Sequence, residues 1–92
     1  MFDFNLEDDF KHVLTRIEKR NPKIATAISR KIREITSRDK NSINMYKNLR
    51  HDFRQFKRVH ITKTLIMIFC VDIDNNHILF VSLKHRDDAY KR

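Results

Sequence analysis

Between residues 47 and 61 the chain reads KNLRHDFRQFKRVHI, a run in which basic, aromatic and imidazole side chains interleave. Lys47, Arg50, Arg54, Lys57 and Arg58, with Lys63 just beyond, are six cations against the one carboxylate of Asp52, a local balance of +5 within a formal chain charge of +8. That is denser than solubility requires. A strand over residues 56–61 would send Val59 and Ile61 to one face and Phe56, Arg58 and His60 to the other. The second face would carry in one line an aromatic ring, a permanent cation and a group that titrates near neutrality. Such a line suits a polyanion that must be gripped through its phosphates and attacked by proton transfer.

The composition narrows the setting. Ninety-two residues, 40% hydrophobic and 35% charged, make one folded domain spanning 1–92, too apolar for a disordered basic tail. The one cysteine, Cys70, excludes a disulfide framework and, within the apolar run 65–71, reads as a buried thiol in a reducing compartment. That run is seven residues long, too short to span a bilayer, and the N-terminus MFDFNLEDDF is acidic where a secretory signal would be basic, so a cytoplasmic protein is expected. Membrane association is disfavoured because the basic residues do not lie opposite an exposed aromatic stripe on one helix. The histidines do not fall at metal-ligand spacings, and no cofactor is expected.

The elements that must position the basic run can be read from periodicity. Residues 1–4 alternate as a short edge strand, Asn5 offers an N-cap, and Leu6, Phe10, Val13, Leu14 and Ile17 recur at helical spacing to about residue 20. Asn21-Pro22 stops that helix and starts another, in which Ile24, Ile28, Ile32 and Ile35 repeat to about Thr36. Residues 38–46 have no sustained period and read as a connection. Three strands follow over 56–61, 65–72 and 77–84, with residues 73–76 (IDNN) supplying a turn in a chain that has no glycine. The expectation is α+β: an N-terminal helix hairpin packed on one face of a small antiparallel sheet, the other face left open.

With Leu49-Arg50-x-Asp52-Phe53, Arg58-x-His60-Ile61 and the terminal His85-Arg86-x-x-x-Tyr90 in this order, the chain resembles the RelE/ParE superfamily of toxins from toxin-antitoxin modules, and most of all the RelE and YafQ type. The resemblance implies a metal-independent mRNA endoribonuclease that works in the ribosomal A site. There the RNA 2′-hydroxyl attacks the adjacent phosphate, and a cognate antitoxin peptide neutralises the protein. It further implies that His60 is the base or orienting group, Arg58 a phosphate-binding cation, His85 the acid for the leaving oxygen and Tyr90 the aromatic that positions the RNA. Lys47 falls where YafQ-like members carry another titratable group. Arg50, Arg54, Lys57 and Arg86 would hold phosphates.

By residue type alone these positions also fit plainer roles: His60 a strand histidine bonded on the sheet surface, His85 a residue beyond a strand end, Tyr90 a tail aromatic on the core. The chain departs from the family where RelE has an arginine in the third strand, since the matching residue is the apolar Ile66, and His51 and Gln55 replace lead-in glycines. Transition-state charge would then fall to Arg54, Lys57, Arg58 or Arg86. A second expectation stands beside the first: a ParE-like gyrase poison, or a catalytically decayed relative that binds only its antitoxin.

Overall fold

The computed structural model describes residues 1–48 and 56–85. Its elements run β1 (Asp3–Leu6), α1 (Asp8–Arg20), α2 (Pro22–Thr36), a 3-10 turn (Ser42–Met45), β2 (Lys47–Asn48), β3 (Phe56–His60), β4 (Leu65–Asp72) and β5 (His77–His85). The strands form a five-stranded sheet in the order β1-β5-β4-β3-β2. No helix among the described residues is long and apolar enough to cross a membrane.

The helix hairpin forms where periodicity places it. Asp8 and Asp9 open α1 and Lys19 and Arg20 close it, each sign suited to its end of the helix dipole. Asn21 Oδ1 accepts from the Ile24 N–H at 3.4 Å, and Pro22 fills the first turn of α2, where no donor is needed. Asn5, expected to cap α1, does not. It lies in β1 opposite Leu79, and Glu7 takes the cap position without a side-chain cap hydrogen bond while its N–H donates to the Phe80 carbonyl at 2.9 Å. The ladder to β5 keeps the chain extended through Leu6, and several backbone bonds outweigh one cap.

The sheet is mixed rather than antiparallel throughout. β2 to β5 pair antiparallel, but β1 runs parallel to β5, with Asp3 opposite His77 and Leu6 opposite Phe80. Parallel neighbours need a long crossover, and the helix hairpin lies within the one used here. The β4–β5 turn is closed by Asp72, whose carboxylate accepts from the Asn75 N–H at 3.1 Å and from its Nδ2 at 2.8 Å. Asn76 then takes the left-handed conformation at φ 54°, which asparagine tolerates better than most residues.

Between helices and sheet sits one core, in which Phe10, Ile28, Ile35, Ile43, Met67, Phe69, Ile78 and Phe80 are all fully buried. Phe69 and Phe80 stand 5.7 Å apart; Phe10 lies 6.0 Å from Phe80, and Tyr46 meets Phe69 edge-on at 5.6 Å. Ile43 and Tyr46 come from the stretch without periodicity. Asp39 anchors that stretch: its Oδ1 accepts from the Ser42 and Asn41 N–H groups at 2.7 and 3.0 Å, while Ser42 Oγ accepts from the Asp39 N–H at 3.1 Å. The Ser42 bonds hold its carboxyl below the usual value.

A β-bulge decides how the far end of β5 faces. Phe69 pairs with Phe80 but Ile68 pairs with Ser82, so Val81 is an extra residue and the register shifts there. Before the bulge, Ile78 and Phe80 face the helices. After it, Leu83 does, buried in the same core, and Lys84 is turned to the other side.

Candidate nucleic-acid interface

On β3, Val59 packs with the helix-side core, so alternation sends Phe56, Arg58 and His60 to the opposite face. Three cross-strand rows follow on that face: Phe56, Cys70 and Leu79; then Lys47, Arg58, Ile68 and Ser82; then His60, Ile66 and Lys84. Rows on one face are about 7 Å apart along a strand, and neighbouring strands about 4.8 Å across. Lys47, Arg58, His60 and Lys84 therefore surround two apolar positions within a patch on the order of 10 Å wide.

Lys47, His60 and Lys84 are exposed and Arg58 is half-buried. The centre of the face is not bare: Ile66 is 0% exposed and Ile68 7%. Ile66 lies directly between His60 and Lys84. The apolar position noted in the sequence is thus flanked by an imidazole and an ammonium group, and the positive charge sits one strand away. Asp72 and Asp3, the acids of β4 and β1 on this face, lie at its other end, in the row of His77. His77 Nε2 stands 2.7 Å from Asn5 Oδ1 there. One end of the face is cationic and the other acidic.

Two site residues expected from the sequence are placed otherwise. Lys57 is only 7% exposed and faces the helix side, where its Nζ donates to Asn48 Oδ1 at 2.8 Å and to the Tyr46 carbonyl at 3.3 Å. It is a satisfied interior lysine rather than a phosphate contact, and burial pushes its amine below the ordinary value. Alternation already groups it with Val59 and Ile61. His85 is exposed at the last position of β5, but it pairs with Leu65, a residue of the helix-side core. The row of His60 ends on Lys84 instead. The bulge at Val81 produces this exchange, since unbroken alternation would put His85 on the face of His60. Arg50, Arg54, Arg86 and Tyr90 lie outside the described residues.

Cys70 is half-buried rather than fully enclosed. Burial and then Asp72 push its thiol up, so it is not poised as a nucleophile. Lys84 is the residue sequence reasoning missed. A bulge leaves no mark in a period-two pattern, although Leu83 set between Ser82 and Lys84 hints that the apolar phase of β5 has slipped.

Two helices on a five-stranded mixed sheet, with a cationic end on the helix-free face, define the class: a small toxin of the RelE/ParE type. YafQ from E. coli strain BL21(DE3) superposes with a TM-score of 0.75 over 99% of this chain and 100% of its own, at 10% identity. A chain of the toxin-antitoxin complex RelBE2 from Mycobacterium tuberculosis superposes with a TM-score of 0.71 over 92% and 98%, at 14% identity. No family model matches the sequence. The protein named "Putative toxin RelE4" of Methanocaldococcus jannaschii is 37% identical over 92 residues, which is all of this chain and 94% of that one. The chain belongs to the RelE family of toxins.

Proposed function

We propose that the protein is the toxin of a type II toxin-antitoxin module, a cytoplasmic endoribonuclease that cuts mRNA in the ribosomal A site without a metal. The observation that carries this reading is the placement of Lys47 directly opposite Arg58, one row from His60 on the helix-free face. Like charges opposite each other on a sheet repel, and a phosphate bound between them relieves that repulsion. His60 then lies about 7 Å along the strand, within reach of the 2′-hydroxyl beside such a phosphate. In this reading His60 takes or orients the hydroxyl proton, and Arg58, Lys47 and Lys84 hold the charge that grows on the phosphoryl oxygens. His85, or Arg86 and Tyr90 beyond it, serve the leaving oxygen and the displaced base. The partner is a cognate antitoxin covering the basic face; the complex solved for the M. tuberculosis relative supports that assignment.

The test is cleavage of mRNA on translating ribosomes in the presence of a chelator. Wild-type protein is expected to cut, and His60→Ala to cut about 10²-fold more slowly or less. Intact mRNA with the wild-type protein overturns the nuclease reading. The buried Ile66, at a position where RelE carries an arginine, favours the second reading of a non-enzymatic gyrase poison or decayed relative. Trapped DNA–gyrase complexes identify the poison, and growth without arrest identifies the decayed form.

A further inference from the structure

On the helix side, well away from the His60 row, a groove of about 430 Å³ opens where the end of α1, the start of α2 and the β3–β4 turn meet. Its floor is aliphatic: Val13, Ile17, Ile24 and Leu65. All four are only partly buried and pack on the rim of the core. Arg16 and Arg20 line its edge, one helical turn apart on α1, and neither pairs with a carboxylate among the described residues. Lys63 is exposed in the turn that closes the groove. Two like charges at this spacing disfavour the helix that carries them unless an anion neutralises them.

We infer that this groove is a docking site for an acidic amphipathic segment of a partner protein, whose aliphatic side chains fill the floor while its carboxylates pair with Arg16 and Arg20. The floor selects a peptide over RNA. A polynucleotide would satisfy the guanidinium groups but would leave four aliphatic side chains facing phosphate and ribose, with no apolar surface removed from water. A peptide helix with leucines on one side and carboxylates beside them meets both demands at once. The groove adds a second contact surface on the far side of the sheet from the basic face, so one partner chain could hold both faces and gain from the linkage. The partner's role rests on the antitoxin reading above; the chemistry of the groove does not.

The probe is a synthetic amphipathic helix with leucines on one face and glutamates on the other, titrated into the full-length protein and followed by methyl NMR. Shifts confined to Val13, Ile17, Ile24 and Leu65 are expected, with affinity falling roughly tenfold or more in the R16E/R20E double variant. A matching peptide with lysines for glutamates should bind that variant better than the wild type. Thermal melts check that the variant is folded. Shifts elsewhere, or affinity indifferent to the charge reversal, overturn the proposal. It also falls if a single-stranded oligoribonucleotide moves the same methyl groups and competes with the peptide. Growth rescue by co-expressed antitoxin reads the partner's role separately: groove binding without rescue retains the site and retires the antitoxin reading.

Discussion

His60 and Lys84 share a row across Ile66, whereas His85 stands in the row of Leu65. The functional consequence can be tested one side chain at a time. Lys84→Ala is expected to slow RNA cleavage by about 10²-fold, the usual cost of removing a group that stabilises transition-state charge. If His85 is the acid, reaching round the end of β5, His85→Ala loses a similar factor and the loss shrinks for a substrate with a better leaving group. Lys57 gives the opposite expectation. Lys57→Met should leave cleavage unchanged and alter stability at neutral pH by no more than about 1 kcal/mol, since a buried charge exchanged for an apolar chain of similar length is near neutral. The folded-state pKa of Lys57 lies below 10.5, so between that value and 10.5 the unfolded chain holds more protons and stability rises with pH. Urea melts across the alkaline range should show a smaller rise in Lys57→Met. Arg58 and His60 were legible in the sequence because β3 alternates without interruption. Lys84 and His85 were not, because an extra residue that fits no period separates them from the start of β5.

Among the elements, the connection from α2 to β2 contributes more than its sequence suggests. Tyr46 is buried against Phe69, and its hydroxyl donates to Glu34 Oε2 while Arg38 Nε donates back to it at 3.3 Å. Lys31 Nζ donates to Glu34 Oε1 at 3.1 Å. These groups, the tyrosine hydroxyl first, hold the Glu34 carboxyl below its ordinary value of 4.5. A carboxyl lowered by folding contributes stability that is present above 4.5 and lost as pH falls through its folded value. Tyr46→Phe is therefore expected to lose about 1 kcal/mol at neutral pH, and less as the medium is acidified past that window, as measured by chemical denaturation. The helices were readable to within a residue because Asn21-Pro22 punctuates them and isoleucines recur on one face. The stretch over 38–46 was not, since Ile43 and Tyr46 enter the core from a 3-10 turn too short to show a period. β1 was legible as an edge strand but not in its direction or extent. Both depend on β5, more than seventy residues later.

At the scale of the molecule, the charge of +8 is not spread evenly, because β1 and the first turn of α1 bring Asp3, Glu7, Asp8 and Asp9 to one end and the cations of β2, β3 and β5 lie toward the other. The fold class followed from element order, while the mixed character of the sheet followed from a pairing no local pattern encodes. That pairing has a consequence for synthesis. β5 sits between β1 and β4, so the first and fourth strands made share a neighbour that leaves the ribosome last. Loop-closure entropy for joining chain ends so far apart is repaid only once β5 is available. A nascent chain stalled before His77 should stay open to protease, and one released after His85 should resist it. A toxin built this way stays unassembled throughout its own translation, and the ribosome that makes it is exposed to a finished molecule only after letting go.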